Sequence, residues 1–247
     1  MFSMTNTLLM KDLFGQALLD YHNGISTGSM TTVEDIITST SISDEDVLPL
    51  AYLFRSYRDM PKLEQKALQL AKGKILDVGC GAGSHSLYLH DKGYDIKAID
   101  ISKGAIEVAK QRGVKHAFVM DLLDETDLFD TILLLMNGTG IFQELAQVSK
   151  YLKHLKSILK SEGQILIDSS DIKYMYEDED GGFWFDANSN YYGELDYFLS
   201  YKNEKEIPSK WLYLDFNTLL TACASVGLTC ELVIEGEHFD YLARITN

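Results

Sequence analysis

The sequence predicts an α/β fold: a doubly wound, mostly parallel seven-stranded sheet closed by an antiparallel C-terminal hairpin, with an N-terminal helical cap and a small antiparallel β insertion after the fifth strand. Two observations carry this. From Lys74 onward, apolar runs of strand length alternate with segments of helical periodicity, the arrangement that covers a parallel sheet with helices on both faces. Within that region an apolar strand runs into three alternate glycines, Gly79, Gly81 and Gly83, that open a helix. At 247 residues, 46% of them hydrophobic and 24% charged, the chain can bury one large core and carry a smaller appendage.

Residues 74–78 form the first strand, followed by the glycine turn, a helix over about 83–91 and a strand over 94–100. Ser102 is placed to cap the next helix, which turns Ala105, Ile106, Val108 and Ala109 inward and stops at Gly113. Strands follow at 116–120 and 129–135. A long helix through Leu145, Val148, Leu152, Leu155 and Leu159 ends at Ser161-Glu162-Gly163, and residues 164–168 make the fifth strand.

The pattern then changes. Residues 171–189 read as a loop with an acidic run at 177–180, and 191–201 with 211–214 read as the antiparallel insertion, turning near Pro208. Residues 216–226 return to helix, ended by Gly227, and 230–234 with 241–245 close the sheet as a hairpin. Ahead of the sheet, residues 1–72 read as the helical cap. Leu8, Leu9, Leu13, Ala17 and Leu18 share one amphipathic helix, Pro61 starts another through Leu63, Ala67, Leu70 and Ala71, and a Ser/Thr-rich linker lies between. Residues 73–247 are then the ligand-binding domain, with 171–214 as its substrate-side insertion.

Composition removes several function classes. A net charge of −15, with Lys and Arg dispersed, opposes the counterion-releasing phosphate contacts on which nucleic-acid binding depends. No apolar run approaches bilayer length, so no membrane partner is expected, and the N-terminus lacks a signal-peptide pattern, which predicts a cytoplasmic protein. Cys80, Cys223 and Cys230 are widely spaced and read as reduced thiols. The six histidines lack zinc-site spacing, and no metal is expected.

The chemistry concentrates in the stretch from Ile75 to Gly83. Alternate glycines let backbone approach a ligand, and the following helix offers free N–H groups to an anionic part of it. A dinucleotide fingerprint needs its third glycine or alanine at position 84, where this chain has Ser84. Asp100, about twenty residues after the turn at the end of the second strand, is placed to accept hydrogen bonds from ribose hydroxyls. Asp77, beside the turn, can attract an ammonium group.

Leu76-Asp77-Val78-Gly79-Cys80-Gly81-Ala82-Gly83, Ala98-Ile99-Asp100-Ile101-Ser102 and Phe129-Asp130-Thr131-Ile132-Leu133 resemble successive motifs of the class I, Rossmann-like S-adenosylmethionine-dependent methyltransferases, of a bacterial small-molecule type. The resemblance covers 74–169 by motif and 215–247 by pattern. It implies S-adenosylmethionine as cofactor, with Asp77, Gly79, Cys80, Gly81 and Gly83 at its methionine end and Asp100 on its ribose. Ile101 and Leu122 would sandwich the adenine and Asp121 would meet its amino group. Met136 would close the site at the end of the fourth strand. Arg55, in Tyr52-Leu53-Phe54-Arg55, would pair with the cofactor carboxylate from the N-terminal cap.

Met136-Asn137-Gly138-Thr139-Gly140 departs from the Asn-Pro-Pro-Tyr sequence of nucleobase amino-methyltransferases, and no Pro-Cys pair stands there for cytosine methylation. The N-terminal cap and the 171–214 insertion, placed over the site, would leave room only for a compact acceptor, so a small molecule is expected. Asn137, His85 and Tyr192 are the candidates for a catalytic role near the methyl group, His85 as a base. Methylation of a protein or peptide, and a regulatory module that binds the cofactor without turnover, are the alternative readings.

Overall fold

The computed structural model describes residues 11–27, 34–178, 180, 182 and 190–247. Helix α1 (Leu13–Thr27) precedes a hairpin of β1 (Ile36–Thr40) and β2 (Ser43–Leu48), then α2 (Leu50–Leu53) and α3 (Lys62–Leu70). The alternating region comprises β3 (Lys74–Val78), α4 (Ser84–Asp91), β4 (Asp95–Asp100), α5 (Lys103–Gln111), β5 (Ala117–Val119), β6 (Phe129–Leu134), α6 (Leu145–Ser157) and β7 (Leu159–Ser170). After it come β8 (Glu194–Tyr201), β9 (Glu204–Lys205), β10 (Ser209–Leu212), α7 (Phe216–Ser225), β11 (Thr229–Glu235) and β12 (Asp240–Thr246).

The expected seven-stranded sheet is present, in the order β11-β12-β7-β6-β3-β4-β5. Strands β3 to β7 are mutually parallel, whereas β12 runs antiparallel to β7 and β11 antiparallel to β12. The chain winds outward from β3 through β4 to β5, then returns to the other side of β3 as β6. That reversal makes the carboxyl ends of β3 and β6 a topological switch point, where open α/β sheets hold ligands.

Both faces of the sheet are packed. Phe129, Ile132, Leu134, Ile165 and Ile167 meet Val148, Leu152 and Leu155 of α6 and Leu219 of α7, while Ile75, Leu133, Leu166 and Leu242 meet Leu63, Ala67 and Leu68 of α3. Local chemistry sets the helix starts as expected: Ser102 accepts from the Ala105 N–H at 3.0 Å to begin α5, and Asp215 accepts from the Thr218 N–H to begin α7.

The N-terminal reading needs correction. The expected linker contains β1 and β2, which join the insertion strands in a second antiparallel sheet ordered β10-β8-β1-β2, with β9 paired to β8. Ile37 pairs with Ser200 and Thr40 with Tyr197, so the strands are stabilised by partners far away in the chain. The cap is thus helix plus sheet, continuous with the insertion. Leu8 and Leu9 lie outside the described residues, but Leu13, Ala17 and Leu18 are buried against Ala105, Val108 and Tyr201. Gly15 and Gly104 let the backbones of α1 and α5 meet, and a Cβ on Gly104 would lie 2.4 Å from the Gly15 carbonyl carbon.

Candidate active site

Gly79, Gly81 and Gly83 all take positive φ, at 69°, 51° and 81°, so the turn between β3 and α4 uses the left-handed backbone that side chains resist. The Gly79 and Cys80 N–H groups are tied to the Ile99 carbonyl of β4. Asp100 grips the turn from the side, accepting from the Gly81 N–H at 2.9 Å and from the Ser102 N–H at 2.9 Å. Above the first two glycines a side-chain carbon would fit in ordinary contact. A Cβ on Gly81 would have the Phe14 ring of α1, at 4.0 Å, as its nearest neighbour, and one on Gly79 would meet Ile141 at 3.4 Å.

Ile101, beside Asp100, is 74% exposed, an unusual position for an apolar residue directly after a central strand. Burial pushes the Asp100 carboxyl up to about 6 against the pull of the Ser102 and Gly81 N–H groups. Asp121 stands at the carboxyl end of β5, exposed, and caps a short turn through the Leu123 N–H at 2.8 Å. Leu122 is corrected: it is 3% exposed inside the main core and offers no open face to a ring.

Asp77 is 1% exposed and accepts from the Ser86 hydroxyl at 2.6 Å, so it acts from beneath the turn. Burial raises its carboxyl, opposed by His85 and Ser86. Cys80 is buried, and desolvation drives its thiol well up, which leaves it unreactive.

Arg55 and His85 require a larger correction. Neither faces open space. Arg55 donates to both oxygens of Glu64 at 2.5 and 2.6 Å, stacks on Tyr52 with 3.9 Å to the ring centroid, and is 8% exposed. His85 Nε2 lies 2.7 Å from the same Glu64 carboxylate. Burial opposes charge on both partners, but their mutual hydrogen bonds and the charges of Arg55 and Asp77 prevail: Glu64 is held below the usual carboxylate range and His85 above the usual imidazole value. The arginine Nε is buried without a hydrogen-bond partner among the described residues.

Asn137 is likewise tied down. Its Oδ1 accepts from the Ser169 hydroxyl at 2.9 Å and its Nδ2 donates to the Leu212 carbonyl at 3.3 Å. It works as a strut, which corrects the expectation of a free catalytic amide. Met136, just before it, is 37% exposed. Tyr192 donates its hydroxyl to Asp171 at 2.7 Å, beyond the end of β7, and burial pushes its phenol upward, away from a role as a base near neutrality.

The structure therefore gathers Asp77, the glycines, Asp100, Ile101, Asp121 and Met136 along the carboxyl edge of the sheet, and removes His85, Asn137 and Leu122 from open contact. Glu64, Asp168 and Phe14 were not singled out from sequence. Glu64 falls on the buried stripe of α3 between Leu63 and Ala67, a legible signal for a paired charge. Asp168 begins a polar Asp-Ser-Ser run directly after the apolar core of β7, also legible. A surface hollow of about 430 Å³ lies between α6 and α7, lined by none of these residues. Among the described residues no group of three His, Cys, Asp or Glu could hold a metal, and no helix is long and apolar enough to cross a membrane.

A family model described as "Methyltransferase domain" matches residues 70–208. Over 96% of this chain and 94% of the other, the fold superposes with a TM-score of 0.87 and 43% identity on an S-adenosylmethionine-dependent methyltransferase from Bacteroides fragilis, solved with S-adenosyl-L-homocysteine. Among curated proteins, a ubiquinone biosynthesis O-methyltransferase of Rickettsia conorii is 28% identical over 115 residues, 44% of this chain and 38% of that protein. A malonyl-[acyl-carrier protein] O-methyltransferase of Serratia marcescens is 25% identical over 96 residues, 39% of this chain and 38% of that protein. The matches span about two fifths of the length of these curated relatives.

Proposed function

We propose that this chain, which belongs to the family of S-adenosylmethionine-dependent methyltransferases, transfers the methyl group to a small-molecule acceptor. One observation carries the cofactor assignment: a left-handed glycine turn flanked by the gripping carboxylate of Asp100 and the exposed Ile101. Those residues suit the cofactor's parts. The turn receives the methionine end, the remaining lone pairs of Asp100 accept from the ribose hydroxyls, Ile101 covers one adenine face and Asp121 takes its amino group. Asp77 supports the turn from below.

The bound cofactor would supply a sulfonium methyl already primed for in-line displacement. What remains for the protein is to orient the acceptor and exclude water, and enforced attack geometry alone contributes about 7–11 kcal/mol. His85, Asn137 and Tyr192 are each engaged with protein partners, so the arrangement favours catalysis by positioning over a dedicated base.

A compact acceptor follows from the roof. Phe14 stands over Gly81, and its N–H and that of Leu13 are held by Glu206 of the segment between β9 and β10 at 3.3 and 2.6 Å. Tyr201 of β8 is bonded to Asp20 of α1 at 2.9 Å. Helix and second sheet together cover the carboxyl edge, where a metabolite fits better than a folded macromolecule.

The test is calorimetry with S-adenosylhomocysteine and with NAD, followed by transfer of labelled methyl to cell extract split into small and macromolecular fractions. Binding of the first ligand alone and label in the small fraction are expected. Label in protein would move the acceptor class, binding without label would favour a regulatory module, and NAD binding would overturn the cofactor assignment.

A further inference from the structure

Beyond β6 the backbone does something costly. Met136 and Asn137 are consecutive non-glycine residues at positive φ, 66° and 60°, which sterics disfavour by about 1–3 kcal/mol each. Such a pair persists only where its surroundings over-determine it, and here they do. Asp168, at the end of the neighbouring β7, accepts from the Met136 N–H through one carboxylate oxygen at 3.0 Å and from the Gly138 N–H through the other at 2.9 Å.

The next residue completes the clamp. The Ser169 hydroxyl donates to Asn137 Oδ1, lies 2.6 Å from the Thr139 hydroxyl and accepts from the Leu214 N–H at 2.9 Å. Thr139 also reaches the Leu212 carbonyl at 2.9 Å, and Gly140 packs so closely on Trp211 that a Cβ there would strike the indole. The loop at the end of β6 is thus pinned on one side by the central sheet and on the other by β10 of the second sheet. It projects the half-exposed Met136 at the switch point between β3 and β6.

We infer that Asp168 is a positioning residue for methyl transfer: by holding the Met136 and Gly138 amides it fixes the strained loop that forms the floor on which acceptor and methyl group meet. The inference rests on the methyltransferase reading for its function and on the hydrogen bonds alone for its structure. Ordinary stability does not explain the carboxylate. Burial makes it expensive, raising its pKa to about 7 against the pull of the Gly138 N–H, with Glu64 adding to the rise. The titratable groups that face it are Tyr52 from α2, Glu64 from α3, His85 from α4 and Tyr241 from β12.

The experiment compares wild-type protein with Asp168→Asn, which keeps one acceptor oxygen and turns an NH2 donor toward the other backbone N–H. Three readouts are expected. S-adenosylhomocysteine affinity by calorimetry stays within about twofold, since the glycine turn and Asp100 are untouched. Labelled methyl transfer to the small-molecule fraction of a cell extract falls about tenfold to a hundredfold in plateau rate, with little change in the extract dilution giving half-maximal rate. In the wild type that rate climbs as the carboxylate ionises around neutrality, and the variant lacks the climb.

Amide hydrogen exchange on the wild type settles the structural half without any variant or acceptor. Protection factors at the Met136 and Gly138 amides should fall selectively as pH drops through about 7, as Asp168 takes its proton. Unchanged protection across that range, or a variant plateau rate within about twofold of wild type, overturns the inference. Absence of transfer by the wild type despite normal protection counts against the methyltransferase reading instead.

Discussion

The buried Arg55–Glu64–His85 group gives the sharpest test of how the N-terminal segment is joined to the core. Arg55 and Glu64 side chains are each 4% exposed, and His85 binds the same carboxylate. Replacing Glu64 with glutamine leaves a guanidinium inside the protein with the Tyr52 carbonyl as its remaining described acceptor. Removing one partner of a buried pair costs about 3–5 kcal/mol, because the surviving charge has neither water nor counter-charge. Replacing both Arg55 and Glu64 with methionine should cost markedly less, since no isolated charge remains.

The pH signature has a definite sign. Glu64 is held low, so its contribution is in place above the ordinary carboxylate range and is lost as pH falls through its folded value. His85 is held high, so its contribution is in place below the ordinary imidazole value and is lost as pH rises through its folded value. Wild-type protein should therefore lose stability on the alkaline side of neutrality, and Glu64→Gln should flatten that loss. Urea denaturation followed by circular dichroism at about pH 6 and about pH 9 measures both effects. A loss below about 1 kcal/mol at the lower pH would refute the argument, by showing that Arg55 finds another anion without help from Glu64.

Three further outcomes are expected. Asp100→Ala should weaken S-adenosylhomocysteine binding by about 1.5–3 kcal/mol, and unchanged calorimetric affinity in a folded variant would remove it from the site. Gly83→Ala should lower stability by about 1–3 kcal/mol in urea, because φ is +81° and the added methyl would lie 2.9 Å from Val114; a neutral result would show that the turn can relax. The protein should show no measurable affinity for duplex DNA near physiological salt, and a tight, salt-sensitive complex by anisotropy would overturn the argument from its charge of −15.

The central sheet was legible because its signals are local. Most of its strands contain short apolar runs, α5 and α7 start at side-chain caps, and the glycine turn with Asp100 spans a single β-turn-α-β unit. The β1–β2 half of the second sheet carries no such signal. Strand β1 is Ile-Ile-Thr-Ser-Thr and β2 is Ser-Asp-Glu-Asp-Val-Leu, with little buried face of their own, and their pairing with β8 joins positions near 37 to positions near 200. The sequence points Arg55 at the cofactor and His85 and Asn137 at the methyl group, whereas their hydrogen bonds go to positions 64, 169 and 212, which spacing alone does not bring together.

Those same long-range ties determine how the roof over the site can be studied. Treating residues 1–45 as a removable lid predicts that their deletion spares cofactor binding. The structure argues otherwise. Asp12 accepts from the Gly104 N–H at 2.9 Å and the Ser102 hydroxyl at 3.0 Å, so the N-terminal segment caps the helix that follows Asp100. Leu13, Ala17 and Leu18 fill a core shared with α5 and β8, and β1 is the strand between β8 and β2. Truncation would open that core, unpair the second sheet and disturb the Ser102 end of the Asp100 clamp together. The roof and the Asp100 clamp are therefore mechanically linked through α1, and substitution of its half-buried Phe14 ring above Gly81, as in Phe14→Ala, is the change that can separate them.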